Sequence, residues 1–190
     1  KIKYSFLPTP NLIVQDVHII DLFGKKEKIG LIKKLKIKTS FKGLSNIEDI
    51  NLSTFTIIDP EINIKLNNYS KYYNFFEKYS SKPLQLINGK INFFDKEKFL
   101  FSFENTNINY LSNKNLDEVE FIGNFLGKEL NILFQNKKRQ TKPFKIITTK
   151  MKNQNFMSRV RIFRDKDKNN NYDGETLISF KNKKLDFDFP

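Results

Sequence analysis

The chain has no cysteine, no tryptophan and no alanine, and it has a single histidine. Without cysteine there is no disulfide framework, no thiolate metal site and no thiol nucleophile, though that absence does not choose between cytosol and periplasm. The lone His18 rules out a histidine cluster for zinc; it reads as a strand or surface side chain, with a titrating functional group as the alternative. Glycine and proline are scarce, seven and six in 190 residues. Neither a GxGxxG nor a GxxxxGK[ST] phosphate loop occurs. No apolar run reaches the roughly 18 residues of a membrane-spanning helix, and no apolar signal core follows a charged start. Arginine is rare too: only Arg139, Arg159, Arg161 and Arg164 among 34 basic residues.

What fills the chain instead is lysine, asparagine, isoleucine and phenylalanine, with a formal charge of +13. All four are residues that an A+T-rich coding sequence favours. The basic excess therefore reads as solvated lysine, with a functional basic surface as the alternative. The organising stretch is Ile29 to Thr39, IGLIKKLKIKT, where Ile29, Leu31, Leu35 and Ile37 share one parity and Lys34, Lys36 and Lys38 the other. Side chains of an extended chain alternate with a period of two, so this is a strand with one apolar and one charged face.

Similar stretches recur. FLPTP at 6–10 is an extended lead-in with two prolines, and Leu12 to Ile20 follows as a β-branched run. Ile47 to Asp59 reads as a strand stopped by Asp59-Pro60, and Ile62, Ile64 and Leu66 as the next. Tyr69, Tyr72, Tyr73, Phe76 and Tyr79 fall at helical spacing and mark one short aromatic helix at 69–79, either covering an end of the sheet or touching lipid. Leu84 to Phe94 resumes the sheet, with Asn88-Gly89 as a tight hairpin or a bulge. Phe99 to Tyr110 shifts parity after Phe103, which indicates another bulge. Val119 to Phe125 and Leu130 to Phe134 flank a hairpin turn; Phe144 to Thr149, Met157 to Arg164, Thr176 to Phe180 and Leu185 to Phe189 complete about a dozen short strands. The expected fold is mainly β, an antiparallel meander. The chain opens without Met and ends on an alternating run, so the expectation is one β-rich region, 1–190, belonging to a longer protein.

Chemistry-bearing clusters are few. Asp117, Glu118 and Glu120 are adjacent acids whose side chains fall on both faces of a strand, an arrangement of solvated surface more than of a general acid and base. Asp165, Asp167, Asn169, Asn171 and Asp173 place oxygen ligands at alternate positions, as a calcium loop does. Asn170 stands where such a loop has glycine and Thr176 where it has glutamate, so a polar hairpin with Asp173-Gly174 at its tip is the competing reading. No cofactor and no catalytic residue is expected, and the protein is read as non-enzymatic.

Residues 6–110 resemble the AsmA family. The resemblance rests on LPTPNLIVQDVHI (Leu7 to Ile19), IGLIKKLKIKTSFKGL (Ile29 to Leu44), IEDINLSTFTIIDPEINIKL (Ile47 to Leu66) and PLQLINGKINFFD (Pro83 to Asp95), in that order. Residues 111–190 fit as further sheet of the same kind. The tryptophan common near the helix in that family is absent here. The resemblance implies a body in the periplasm of a Gram-negative-type bacterium, held to the inner membrane by an N-terminal helix outside this stretch. It also implies a part in outer-membrane biogenesis and phospholipid transport, with acyl chains carried on the apolar concave side of a long, curved sheet.

The alternation itself asks for such a partner: with so little helix, a sheet of these strands must fold over on itself, pair with a second sheet or hold another apolar substance. By parity the groove candidates are Leu31, Leu35, Ile37, Ile50, Leu52, Ile62, Ile64, Phe101, Phe103, Phe121, Leu130 and Ile132. Each would equally serve as core of an ordinary β-sandwich. The competing functions are a structural or adhesin-like β domain, and a basic nucleic-acid-binding module. The second would need exposed aromatic side chains beside Lys34, Lys36, Lys38, Arg159 and Arg161; nucleic acid is not the expected partner.

Overall fold

The computed structural model describes residues 1–6, 9–21, 28–39, 52–68, 83–138, 144–164, 172–181 and 183–189. The expected helix at 69–79, groove candidate Ile50 and the acidic loop up to residue 171 lie outside these ranges. Among the described residues the protein is a single twelve-stranded sheet with strands in sequence order. They are β1 (Ile2–Ser5), β2 (Asn11–Ile20), β3 (Lys28–Thr39), β4 (Leu52–Lys65), β5 (Leu84–Asp95), β6 (Lys98–Ser112), β7 (Leu116–Phe125), β8 (Lys128–Lys137), β9 (Phe144–Met151), β10 (Phe156–Arg164), β11 (Tyr172–Phe180) and β12 (Lys183–Phe189). A 3-10 turn, Leu66–Asn68, follows β4. The mainly-β architecture expected from the alternation is therefore present. The chain divides into two compact units, Lys1–Ile108 and Asn109–Pro190.

Two details differ from the sequence reading in the first unit. Asp59-Pro60 does not stop a strand: β4 runs through it from Leu52 to Lys65. The pairing of β4 with β5 passes from Ile58↔Ile87 to Glu61↔Lys90, so proline's missing N–H falls where that ladder is interrupted. The second is direction: β5 lies parallel to β4, with Phe55 level with Leu84, although β2, β3 and β4 pair antiparallel in sequence. A parallel neighbour cannot be reached by a tight turn, and residues 66–83 make the return.

Asn88-Gly89 is not a hairpin either, since β5 continues through it. Asn88 has φ +55°, and the same left-handed conformation recurs at Asp16 (+56°), Asp59 (+47°) and Asn105 (+49°), one in each of β2, β4, β5 and β6. Asp and Asn are, after glycine, the residues most at ease there. These positions line up: Asp16 and Asp59 are both level with Lys33 of β3, between the pairs Gln15↔Lys34 and Val17↔Ile32 on one side and Ile58↔Lys34 and Pro60↔Ile32 on the other. The Asn88 amide donates to Asp59 Oδ1 at 2.7 Å, and the Asn88 N–H to Asn107 Oδ1 at 3.1 Å. The result is a crease crossing β2 to β6.

At the crease the apolar parity steps by three. In β2 it runs Leu12, Val14, then Val17, Ile19; in β4 Phe55, Ile57, then Pro60, Ile62, Ile64; in β5 Leu84, Leu86, then Gly89, Ile91, Phe93. Directly opposed residues share a face, and the register joins these into rows: Leu12, Ile37, Phe55 and Leu84; Val14, Leu35, Ile57 and Leu86; Ile19, Gly30, Ile62 and Ile91. A Cβ placed on Gly89 would come within 2.5 Å of Leu86 Cδ2 and 3.1 Å of Pro60 Cγ. Leu86 and position 89, three residues apart, therefore point to the same side, which regular alternation would forbid. Because β2, β4 and β5 turn at the same level, the apolar side stays continuous without a slip in register at the crease.

The second unit alternates regularly, with positive φ confined to turns such as Leu126-Gly127 (+49° and +72°) between β7 and β8. One face carries the rows Val119, Phe134, Ile147, Val160, Thr176, Phe187 and Phe121, Ile132, Thr149, Ser158, Ile178, Leu185. The other carries Glu118, Gln135, Ile146, Arg161, Glu175 and Asp188. Asp173 and Gly174 lie inside β11, opposite Phe163 and Ile162, and so are not a hairpin tip.

Candidate functional site

The titratable candidates read from the sequence are spread over different strands. His18 is exposed on β2, opposite Leu31. Asp117 and Glu118 point to opposite faces, being level with Asn136 and Gln135. Glu118 accepts a hydrogen bond from Gln135 Nε2 at 2.7 Å. Burial works against the Asp117 carboxylate, but its contacts with Lys138, with Ser112 Oγ (2.6 Å) and with Asn136 Nδ2 (3.2 Å) hold its pKa below the usual value. That is a structural knot tying the end of β8 to the start of β7. Among the described residues no group of three acidic or histidine side chains is placed to hold a metal ion, and of the candidate calcium ligands only Asp173 is described. A hollow of about 330 Å³ in the second unit is lined by Arg159, Arg161, Glu175, Asp186 and Asp188 with Thr176, Leu177 and Phe187. Its charges oppose one another, and Arg161 is already paired with Glu175 at 3.2 Å and stacked over Phe144.

The apolar faces are different, because within its own unit nothing described lies over either of them. Within each unit, contacts of any extent join sheet neighbours, apart from β5 with the Leu66–Asn68 turn. Among the described residues the buried apolar side chains of these rows are Ile32, Pro60, Leu86, Ile91 and Leu130, while Ile146 is buried on the other face of the second unit. The rest of the apolar rows are half-buried or exposed. In the first unit they run out to Ile2 and Tyr4 of β1, opposite Val14 and Leu12, with Tyr4 72% exposed. In the second they run out to Leu185 and Phe187 of β12, more than half exposed. Sheets covered by a second layer bury such rows almost completely.

The groove candidates divide accordingly. Leu35 and Ile37 lie on the apolar face of the first unit with Val14, Leu12, Ile57 and Phe55, and Ile62 and Ile64 continue it beyond the crease beside Ile91 and Phe93. Phe101 and Phe103 join it by ring contacts to Phe93, stacked at 4.8 Å and edge-on at 5.8 Å. Phe121, Leu130 and Ile132 share the apolar face of the second unit. Leu31 does not belong with its set: it is level with His18 and Glu61, on the polar side, while Ile32 takes the apolar position opposite Val17 and Pro60. Leu52 is in β4, its backbone paired with Thr39 across a register shift. The reading missed Phe55, Ile57, Leu86 and Ile32, and the signal was the three-residue step at each Asp or Asn of the crease.

Lys34, Lys36 and Lys38 stand on the opposite side, among Gln15, Ile13 and Asn11 of β2 and Ile58, Thr56 and Thr54 of β4, with no aromatic ring in those rows. Among the described residues no helix is long and apolar enough to cross a membrane. No family model, no curated protein and no solved structure matches the chain.

Proposed function

We propose that the protein is a non-enzymatic lipid carrier, holding phospholipid acyl chains on the apolar side of its sheet, in the manner of the AsmA-type proteins its first half resembles. In that reading it acts in the periplasm, in phospholipid transport or outer-membrane assembly, and is anchored to the inner membrane by a segment outside the stretch described. The observation that carries the reading is an apolar face left uncovered within its own unit: rows such as Phe121, Ile132 and Ile178 meet no second layer among the described residues of that unit. An acyl chain laid along such rows gains roughly 0.8 kcal/mol for each methylene removed from water, so several methylenes suffice to hold it without a headgroup pocket. The headgroup stays in solvent, and the chain can slide, because neighbouring rows offer equivalent contacts.

The test is the lipid content of the chain purified from a Gram-negative host without detergent, measured by solvent extraction and mass spectrometry. Phospholipid is expected in stoichiometric amounts with the native chain and at a small fraction of that with Ile132→Asp. Lipid-free native protein, or an unchanged lipid content in the variant, would overturn the reading.

A further inference from the structure

The polar side of β1 to β5 is unevenly charged, and the crease is the dividing line. At the crease Lys33 is level with two carboxylates, Asp16 and Asp59. Beyond it come His18, Glu61 and Lys90, a mixed row. On the other half the picture changes: Lys34, Lys36 and Lys38 have only amide, hydroxyl and isoleucine neighbours across β2 and β4. Lys3 extends the Lys36 row through Ile13, and Lys1 extends the Lys34 row, its carbonyl accepting from the Gln15 N–H at 2.9 Å. Five lysines thus share one patch containing no Asp or Glu, and no ion pair neutralises any of them among the described residues.

We propose that this patch docks on a bilayer surface of anionic phospholipid headgroups. Like charges gathered without counter-charges raise the local potential, and an anionic surface is the partner that relieves it. What lies between the lysines favours lipid over nucleic acid. Ile58 and Ile87 continue the Lys34 row, with Ile87 41% exposed, and Ile13 continues that of Lys36. Lysine stems and isoleucines suit the headgroup boundary, where alkyl groups sink and ammonium groups stay at the phosphates. A single-stranded nucleic acid would want aromatic rings to stack on, and these rows have none. The patch faces away from the apolar rows, so docking does not depend on what fills them.

The experiment is co-sedimentation of the native chain with phosphatidylcholine vesicles made with and without phosphatidylglycerol, over a range of salt. The native chain is expected to bind only the anionic vesicles, and to release as salt rises. Each basic residue near such a surface is worth roughly five-fold, so K34E/K36E/K38E should weaken binding about 100-fold or more. K98E/K128E/K150E makes the same change of net charge at exposed lysines elsewhere and should cost less than about ten-fold; K34Q/K36Q/K38Q serves in place of the glutamates if they disturb folding by circular dichroism. Equal losses in the two sets would overturn the proposal. So would binding indifferent to phosphatidylglycerol, or a single-stranded RNA that displaces the chain from vesicles. Vesicle binding and copurified lipid are separate readouts, so either proposal can fail alone.

Discussion

Gly30 sits where three strands come close: a Cβ there would lie 2.7 Å from the Glu61 carbonyl oxygen and 3.3 Å from both Ile19 Cδ1 and Ile62 Cα. Backbone cannot swing aside as a side chain can, so Gly30→Ala should cost about 2–3 kcal/mol, more than Gly89→Ala, whose tightest neighbour is the rotatable end of Leu86. Urea midpoints of the two variants decide it, and the reverse order would contradict the packing described. Thr106 is fully buried and its hydroxyl has no hydrogen-bond partner among the described residues. Thr106→Val keeps the shape and removes the unsatisfied oxygen, and should raise stability by about 1 kcal/mol in the same assay. At Asp117 the sign follows from the lowered folded pKa: the charged form is favoured in the fold, so its contribution is complete above the ordinary carboxylate range and is lost as pH falls through and below about 4. Asp117→Asn should therefore lower stability by about 1 kcal/mol at pH 7, and that difference should shrink by pH 3.

The crease explains both what could be read from the strands and what could not. In β3 the odd positions Leu31, Leu35 and Ile37 look like one uninterrupted face, yet Ile32 is the buried residue and Leu31 is level with Glu61. The alternation alone cannot reveal this, because Lys33 and Lys34 are polar on either phase; only the register with Asp16 and Asp59 does. Phe103 to Ile108 was legible, since the phase change there is written in apolar residues on both sides of Asn105. The parallel entry of β5 was not legible, because alternation with period two is the same for either direction. Asp59-Pro60 carries a turn signature, and here it bends a strand because the neighbouring strands bend at the same level. Asn88 tests that device. Asn88→Gly keeps access to positive φ and loses the bond to Asp59, so it should cost under about 1 kcal/mol; Asn88→Val puts a branched side chain in the left-handed region and should cost about 2 kcal/mol or more.

Within each unit one face carries rows of isoleucine, leucine and phenylalanine, and the other carries charged and amide side chains with Ile13, Ile58, Ile87 and Ile146 among them. That a sheet would form was plain from Ile29 to Thr39. The shortage of helix left three ways to cover the apolar side, folding over, a second sheet or another apolar substance, and within each unit the described strands touch only their sheet neighbours. Most groove candidates chosen by parity do share an apolar face in their own unit; Leu31 fails because parity was carried straight across the crease. If acyl chains occupy this side, a photo-reactive side chain there will capture them. A benzophenone amino acid at Leu35 or Ile132, irradiated in a Gram-negative cell envelope, should form adducts with phospholipid, while the same group at Lys36 or Gln135, on the opposite side of the same strands, should form few. Equal labelling of both sides, or no phospholipid adduct at Leu35 and Ile132, would contradict a lipid-bearing face.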